Sequence, residues 1–201
     1  MAYSSWLTPS KLSGSGNDTV NVSANANNTG RNSRSTTITF SAANCEDVTR
    51  TVVQAGKAET TTISSTAAAT KAGGTVTITG TSNSSKLTFT LGTGDLTITL
   101  PSTYTAAGNS TNNGAAITGD PGATQEYTFS IAFTVPENTS IASKSKQIIV
   151  TDNGGHTATC TLTQAAGDAY LTVSPASVEI PWDGATSASF TVSSNTNWTV
   201  S

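Results

Sequence analysis

Residues 127–135 read Tyr-Thr-Phe-Ser-Ile-Ala-Phe-Thr-Val, so that Phe129, Ile131 and Phe133 alternate with small or polar residues. Successive side chains of a β-strand point to opposite faces, and this alternation therefore predicts a strand with one buried face. The same period recurs in further runs of about five to seven residues, each bounded by Gly, Asn, Asp, Ser or Pro. The sequence thus predicts an all-β fold, built as a sandwich of antiparallel sheets. The further runs are Val20, Val22 and Ala24; Val76 and Ile78; Leu96, Ile98 and Leu100; and Ala188, Phe190 and Val192.

The composition excludes several classes of protein. Thr and Ser contribute 40 and 27 of the 201 residues, whereas charged residues make up only 10%. Strong helix formers are scarce among these β-branched and small residues, which argues against a helical bundle or a coiled coil. The net charge is −3 and the nine Lys and Arg are scattered, so there is no basic stripe for nucleic acid. The longest apolar runs have three or four residues, far below the roughly 20 that a transmembrane helix needs.

Turn residues predict two hairpins. Asn153-Gly154-Gly155 separates two β-like runs, residues 147–151 and 157–163, and Asn-Gly favours a tight turn because both positions accept a positive φ. A second hairpin is predicted within residues 36–53, with its turn at residues 44–47.

The sequence also repeats itself, and its two ends match different halves of the middle. One match has a spacing of 110 and joins the N-terminal segment to the middle; the other has a spacing of 112 and joins the middle to the C-terminal segment. The clearest matches are Asn28-Thr29 with Asn138-Thr139, Gln54-Ala55 with Gln164-Ala165, and Ser82-Asn83 with Ser194-Asn195. The predicted units are residues 1–57 (the C-terminal half of a domain), residues 58–168 (a complete domain) and residues 169–201 (the N-terminal half of a domain).

Both ends of the sequence contain short motifs that together resemble one known family. The C-terminal motifs are residues 171–175 (LTVSP), 188–195 (ASFTVSSN) and 198–201 (WTVS). The N-terminal motifs are residues 5–7 (SWL), 13–16 (SGSG), 20–22 (VNV), 26–29 (ANNT), 34–36 (RST) and 53–56 (VQAG). The C-terminal motifs are similar to the opening half, and the N-terminal motifs to the closing half, of the BACON domain (Bacteroidetes-associated carbohydrate-binding, often N-terminal).

Joined in permuted order, the two ends read as one such domain, and residues 58–168 look like a divergent relative. This middle unit lacks both tryptophans and has an insertion-like stretch, residues 105–125, that is rich in Ala, Gly and Asn. The resemblance implies an immunoglobulin-like β-sandwich in tandem units (half, whole, half). Such domains are found in Bacteroidota surface proteins and in virion proteins of crAss-like bacteriophages.

The division of one domain between the two ends predicts assembly. A half-sandwich leaves an open sheet edge and an uncovered apolar face, so neither end should be stable alone. The preferred hypothesis is that the C-terminal half of one subunit is completed by the N-terminal half of a neighbour, which gives a head-to-tail homo-oligomer. A fragment of a longer polypeptide and closure within one chain stay open as alternatives. The residues expected to complete the domain between subunits are Trp6, Leu7, Val20, Val22, Phe190, Val192, Trp198 and Val200.

The residues do not predict an enzyme, a metal site or a cofactor. His156 is the only histidine and follows a turn, and the twelve acidic residues are dispersed, so no general base or nucleophile can be assembled. Cys45 and Cys160 stand 115 residues apart, and we expect two separate free thiols. The expected contacts for a glycan or a partner are Trp182, which lies at a turn, and Tyr104 and Tyr127, which flank the insertion. The insertion is expected to be a mobile loop.

Three functions are compatible with these features. The first is a structural or adhesion protein at the surface of a bacteriophage virion, such as a head fibre, capsid decoration or tail-associated protein, with itself and other virion proteins as partners. It suits an adhesin-like sequence whose first residues contain no secretion signal. The alternative is a carbohydrate-binding module on a bacterial cell surface, and the third is an accessory region of a glycan-active enzyme. We expect the first, with host surface glycans as further candidate partners.

Overall fold

The computed structural model describes residues 3–201, which form strands, turns and loops but no helix. The all-β prediction is therefore confirmed. Within the same residues, no helix is long and apolar enough to cross a membrane. The strands are β1 (Leu7–Pro9), β2 (Val22–Ala24), β3 (Arg34–Phe40), β4 (Val48–Gln54), β5 (Thr61–Ile63), β6 (Thr66–Ala69), β7 (Gly74–Ser82), β8 (Leu87–Leu91), β9 (Thr103–Ala106), β10 (Asn109–Asn112), β11 (Tyr127–Val135), β12 (Lys144–Asp152), β13 (Thr157–Gln164), β14 (Leu171–Ser174) and β15 (Thr191–Ser194).

The middle of the chain forms a two-sheet sandwich. Five strands pair in the order β10-β9-β11-β7-β5, and four pair in the order β6-β13-β12-β8. All of these pairs are antiparallel except β6 with β13. The buried apolar core between the sheets runs from Ile78 to Leu162 along the chain. The predicted sandwich fold class is thus confirmed.

β11 lies inside the larger sheet, between β9 and β7. Its alternate residues from Tyr127 to Val135 are buried, and the residues between them face outwards. Ile131 pairs with Ile78 of β7 on one side of the strand, and Phe129 pairs with Ala106 of β9 on the other side. The alternation of the sequence therefore corresponds to one face of a central strand packed on the core.

Both predicted hairpins are confirmed. β12 and β13 pair antiparallel across the Asn153-Gly154-Gly155 turn, where the Gly155 amide donates to the Asp152 carbonyl at 3.1 Å. β3 and β4 pair in the same way around a turn in which Asn44 has a φ of 60°. Asn is among the few residues other than Gly that adopt this left-handed conformation readily.

Two predictions about the middle unit need correction. Residues 96–100 alternate in sequence, and Leu96 and Ile98 are buried, but they form no strand. The Leu96 amide donates to the Ser145 carbonyl of β12 at 2.9 Å, and the segment then carries the chain from the four-stranded to the five-stranded sheet. The supposed mobile loop at residues 105–125 is partly a hairpin, because β9 and β10 pair antiparallel and Ile117 behind them is buried.

The two ends of the chain form separate small sheets. β1 pairs with β2, β3 pairs with β4, and β14 pairs with β15. Within residues 3–201, no strand of the N-terminal segment pairs with a strand of the C-terminal segment. Below, residues 3–57 are called the N-terminal half and residues 169–201 the C-terminal half.

Candidate functional site

The N-terminal half contains a small packed region of its own. Leu7 is buried, and the Arg34 guanidinium lies 4.8 Å from the centre of the Trp6 ring in a cation–π contact. The Ser4 amide donates to the Thr36 hydroxyl at 2.9 Å, which ties the start of β1 to β3. Trp6 and Leu7 therefore pack within their own half.

A cleft with both polar and apolar lining residues lies beside this packed region. It has a volume of about 780 Å³ and is bounded by the β1–β2 loop and by β3, with Val20, Ile38 and Phe40 among its lining residues. At the repeat spacing of 110, Ile38 and Phe40 correspond to Ile148 and Val150, both of which are 0% exposed in the complete sandwich. In the N-terminal half Ile38 is also buried, at 8% exposed, whereas Phe40 is 43% exposed. The cleft thus lies where the complete unit has its core.

The C-terminal half exposes an apolar face on its hairpin. Phe190 is 50% exposed, whereas Ile78, its counterpart at the spacing of 112, is 1% exposed. Trp198 and Val200 are also exposed, and Val192 is half-buried. The predicted completion residues on this half therefore present apolar surface to solvent instead of packing against the rest of the chain.

Side-chain hydrogen bonds show which residues of the halves correspond to the complete unit. Asn28 and Asn138 make the same three bonds. In each, Nδ2 donates to the backbone carbonyls of the residues four and 27 positions later in the sequence, and Oδ1 accepts from the backbone amide two positions later. Asn83 and Asn195 likewise share one arrangement, donating to a carbonyl and accepting from an amide near the start of their unit. The corners of the halves are therefore built like those of the complete sandwich.

An ion cluster joins the N-terminal half to the middle unit. Arg31 Nη1 and Nη2 donate to the two carboxylate oxygens of Asp120 at 2.6 and 2.8 Å, and Nε lies 3.0 Å from Glu59 Oε1. The side chains of Arg31 and Glu59 are 18% and 6% exposed. The Asp120 carboxylate raises the pKa of Arg31, and the Arg31 guanidinium lowers the pKa of Asp120. The sequence analysis does not predict this cluster. Its only signal in the sequence is that Arg31 stands where the repeat, at the spacing of 110, has Ile141.

Tyr104 and Tyr127 cannot serve as the expected contacts, and this is a correction. They are 4% and 6% exposed, and the Tyr127 hydroxyl donates to the Ser84 carbonyl at 2.7 Å. Burial raises the pKa of each phenol to about 12. Both rings lie in the core because the alternation of β9 and β11 includes them.

Trp182 is 99% exposed, in the loop between β14 and β15. It is the one residue of the expected glycan or partner contacts whose ring faces solvent. His156 lies at the β12–β13 turn beside the buried Asp152 carboxylate, with Nδ1 3.1 Å from Oδ2. Cys45 is exposed and Cys160 is buried, and both are free thiols. Residues 3–201 contain no group of three or more His, Cys, Asp and Glu side chains that could hold a metal ion.

The fold and these surfaces define an immunoglobulin-like β-sandwich protein with apolar faces left open at both ends. The family model BACON, described as "Putative binding domain, N-terminal", matches residues 1–55. The match confirms the resemblance to this family over the N-terminal segment, and a binding domain favours a role other than catalysis.

Two further comparisons add little. No curated protein matches the chain. Among solved structures, an endo-fucoidan hydrolase of glycoside hydrolase family 107 is similar over 84% of this chain, with 15% sequence identity and a TM-score of 0.26. The chain spans about a quarter of the length of that hydrolase, with 23% covered. A similarity of this size carries no argument about function.

Proposed function

We propose that the protein is a non-enzymatic structural and adhesion protein of a bacteriophage virion, assembled by completion of its split sandwich domains between subunits. The observation that carries the proposal is that the two halves have complementary surfaces. The N-terminal half has an open cleft lined by Ile38 and Phe40, and the C-terminal half has an exposed apolar face around Phe190.

The strands that are missing from each half support this assembly. In the complete unit β11 lies between β7 and β9, and β12 lies between β8 and β13. In the N-terminal half β2 has only β1 as a neighbour, and β3 has only β4. The missing neighbours correspond to β7 and β8. At the repeat spacing of 112, the counterpart of β7 is residues 186–194, and the counterpart of β8 begins at residue 199.

The geometry of such a contact suits a particle surface. Completion joins different surfaces of two copies, so it is a heterologous contact that propagates into a ring or a filament. Fibres and decorations on a virion are built from repeated contacts of this kind. A chain that uses a binding-domain family for its subunit contacts would leave the complete middle unit free for other partners.

The assembly is tested by light scattering of the full 201-residue chain over a range of concentrations. Val22→Asp puts a charge on the face of β2 that the partner would cover, and Ser23→Asp puts the same charge on the opposite face. We expect concentration-dependent oligomers for the unmodified chain and for Ser23→Asp, and a monomer for Val22→Asp. An unmodified chain that stays monomeric at micromolar concentration contradicts the proposal.

The location in a virion has its own test. An antibody raised against the middle unit should label intact phage particles in electron micrographs, and the protein should be found by mass spectrometry in particles purified on a density gradient. Labelling of bacterial cell envelopes in uninfected cultures contradicts this location and supports the alternative.

Trp182 supports one alternative, a carbohydrate-binding module at a bacterial cell surface. An indole ring that is 99% exposed offers an apolar face to a sugar ring. A glycan array should then show binding that Trp182→Ala abolishes and that Tyr170→Ala, a change at a half-exposed aromatic residue of the same half, leaves intact. The alternative fails if the array shows no binding or if both variants bind like the unmodified chain.

A further inference from the structure

The hydrogen-bonding pattern of β2 identifies its open edge. In an antiparallel strand, alternate residues direct both backbone groups to the same neighbour. The Asn21 carbonyl accepts from the Ser10 amide at 2.8 Å, and the Asn25 amide donates to the Trp6 carbonyl at 2.9 Å. Odd-numbered residues of this strand therefore bond to β1 and its extension. The backbone groups of Val20 and Val22 consequently point to the other edge, where residues 3–201 provide no strand.

β15 has a matching open edge. It pairs with β14 in the register in which β7 pairs with β5, since Leu171 is opposite Ser194 as Thr61 is opposite Ser82. In β7 the residues Ile78 and Gly80 then face β11, where they are opposite Ile131 and Phe129. At the spacing of 112, their counterparts are Phe190 and Val192.

We infer that β15 of one copy pairs antiparallel with β2 of the next, with Phe190 opposite Val22 and Val192 opposite Val20. This inference rests on the proposed assembly and specifies its register. It corresponds to a spacing of 109 between β2 and β11, one residue fewer than in the flanking repeat.

The slip of one residue is required by the faces of the strand. A spacing of 110 would put Asn21 opposite Phe190, with an amide side chain in the core. The backbone gives a second reason. At the spacing of 110 the counterpart of Asn21 would be Ile131, whose backbone bonds to β7, but the backbone of Asn21 already bonds to Ser10 on the opposite edge. With the spacing of 109, the side chains of Val20 and Val22 lie on the core face of the sheet. The backbone groups of both residues point to the open edge of β2.

The side-chain volumes fit the same register. In the complete unit Gly80 is opposite Phe129, and a Cβ on Gly80 would overlap both the Thr62 carbonyl oxygen and the Phe129 ring. In the proposed pair, two valines replace the glycine and the phenylalanine. At the next position, Phe190 with Val22 replaces two isoleucines. Both pairs therefore stay apolar, and each has a combined side-chain size similar to that of the pair it replaces.

A paired-cysteine experiment tests the register without disturbing the core. Asn21 and Thr191 are both exposed and would lie directly opposite each other, on the outer face of the completed sheet. The test protein is the full chain with Asn21→Cys and Thr191→Cys, and with Cys45→Ser to remove the exposed natural thiol. The matched control has Asn25→Cys in place of Asn21→Cys; four residues along a strand is about 13 Å, beyond the reach of a disulfide.

We expect a ladder of disulfide-linked multimers from the first protein on a non-reducing gel, and none from the control. Oligomers in light scattering with no ladder, or with a ladder only from the control, overturn the register and leave the assembly standing. Monomers without any disulfide overturn the assembly as well. A disulfide at monomer mass overturns both, because it shows that the two halves close within one chain.

Discussion

Truncating Phe190 should weaken assembly without destabilising the subunit. Phe190 is 50% exposed and is not part of the core cluster, so the single chain makes little use of its ring. The completed sandwich would cover the exposed half, just as the counterpart Ile78 is covered. Phe190→Ala therefore separates the contact between subunits from the fold of the middle unit.

The size of the effect follows from the area that assembly would bury. A phenylalanine side chain buries roughly 200 Å² when fully enclosed, so closing the exposed half removes about 100 Å² from water. At about 25 cal/mol per Å² this contributes ~2.5 kcal/mol, of which the alanine Cβ keeps a small part. A loss of about 2 kcal/mol raises the dissociation constant roughly 30-fold.

Sedimentation velocity over a concentration series measures this dissociation constant directly. The matched control is Val53→Ala, which removes an exposed apolar side chain from the outer face of β4 in the other half. We expect the midpoint of association to move for Phe190→Ala and to stay in place for Val53→Ala. An equal midpoint for Phe190→Ala and the unmodified chain, or an equal shift in both variants, would refute the reasoning.

Three other predictions concern the subunit itself. Ile131→Ala removes a fully buried side chain and should lower the unfolding free energy by about 3 kcal/mol and the Tm by roughly 10–15 °C in circular dichroism. Arg31→Met leaves the buried Glu59 carboxylate without its cation, at a cost of about 3 kcal/mol, and should speed hydrogen exchange at the junction relative to Arg50→Met. Arg31 lowers the pKa of Asp120, so the stability that this ion pair contributes is present above the usual carboxyl pKa of 3.8 and is lost as pH falls through the lowered value. Hydrogen exchange at the junction should therefore accelerate below about pH 4 in the unmodified chain but not in Arg31→Met.

The sequence predicts which side chains are buried better than it predicts which strands pair. In β11 the alternation continues from Tyr127 to Val135, and the structure buries every alternate residue. Residues 96–100 and 188–190 alternate as well, but neither segment is a strand. Alternation depends on which side of the chain meets the core, whereas a strand needs a neighbouring backbone to bond with. A single sequence contains no direct signal for that neighbour.

The candidate contacts show the same limit. Tyr104 and Tyr127 are predicted contacts because they flank a polar insertion. Both nevertheless belong to alternating runs, Tyr104 with Ala106 and Tyr127 with Phe129. The alternation of apolar and polar residues therefore predicts the burial of these tyrosines better than the composition of the neighbouring insertion does. Arg31 could not be found in this way, because its role depends on Asp120, 89 positions away.

The repeated hydrogen bonds explain how two incomplete halves can still be ready for association. Asn28 bonds to backbone groups of its own half, and Asn195 accepts from the Tyr170 amide and donates to the Asp168 carbonyl, in the arrangements of their counterparts in the complete unit. The corners and hairpins are therefore present in the single chain, and completion would add apolar contact and one ladder of hydrogen bonds at each open edge. Association between prefolded surfaces avoids most of the ordering entropy that a disordered segment would lose. The open edges of β2 and β15 are in this sense prepared binding sites, and their exposure is the reason that a second copy is the occupant we propose.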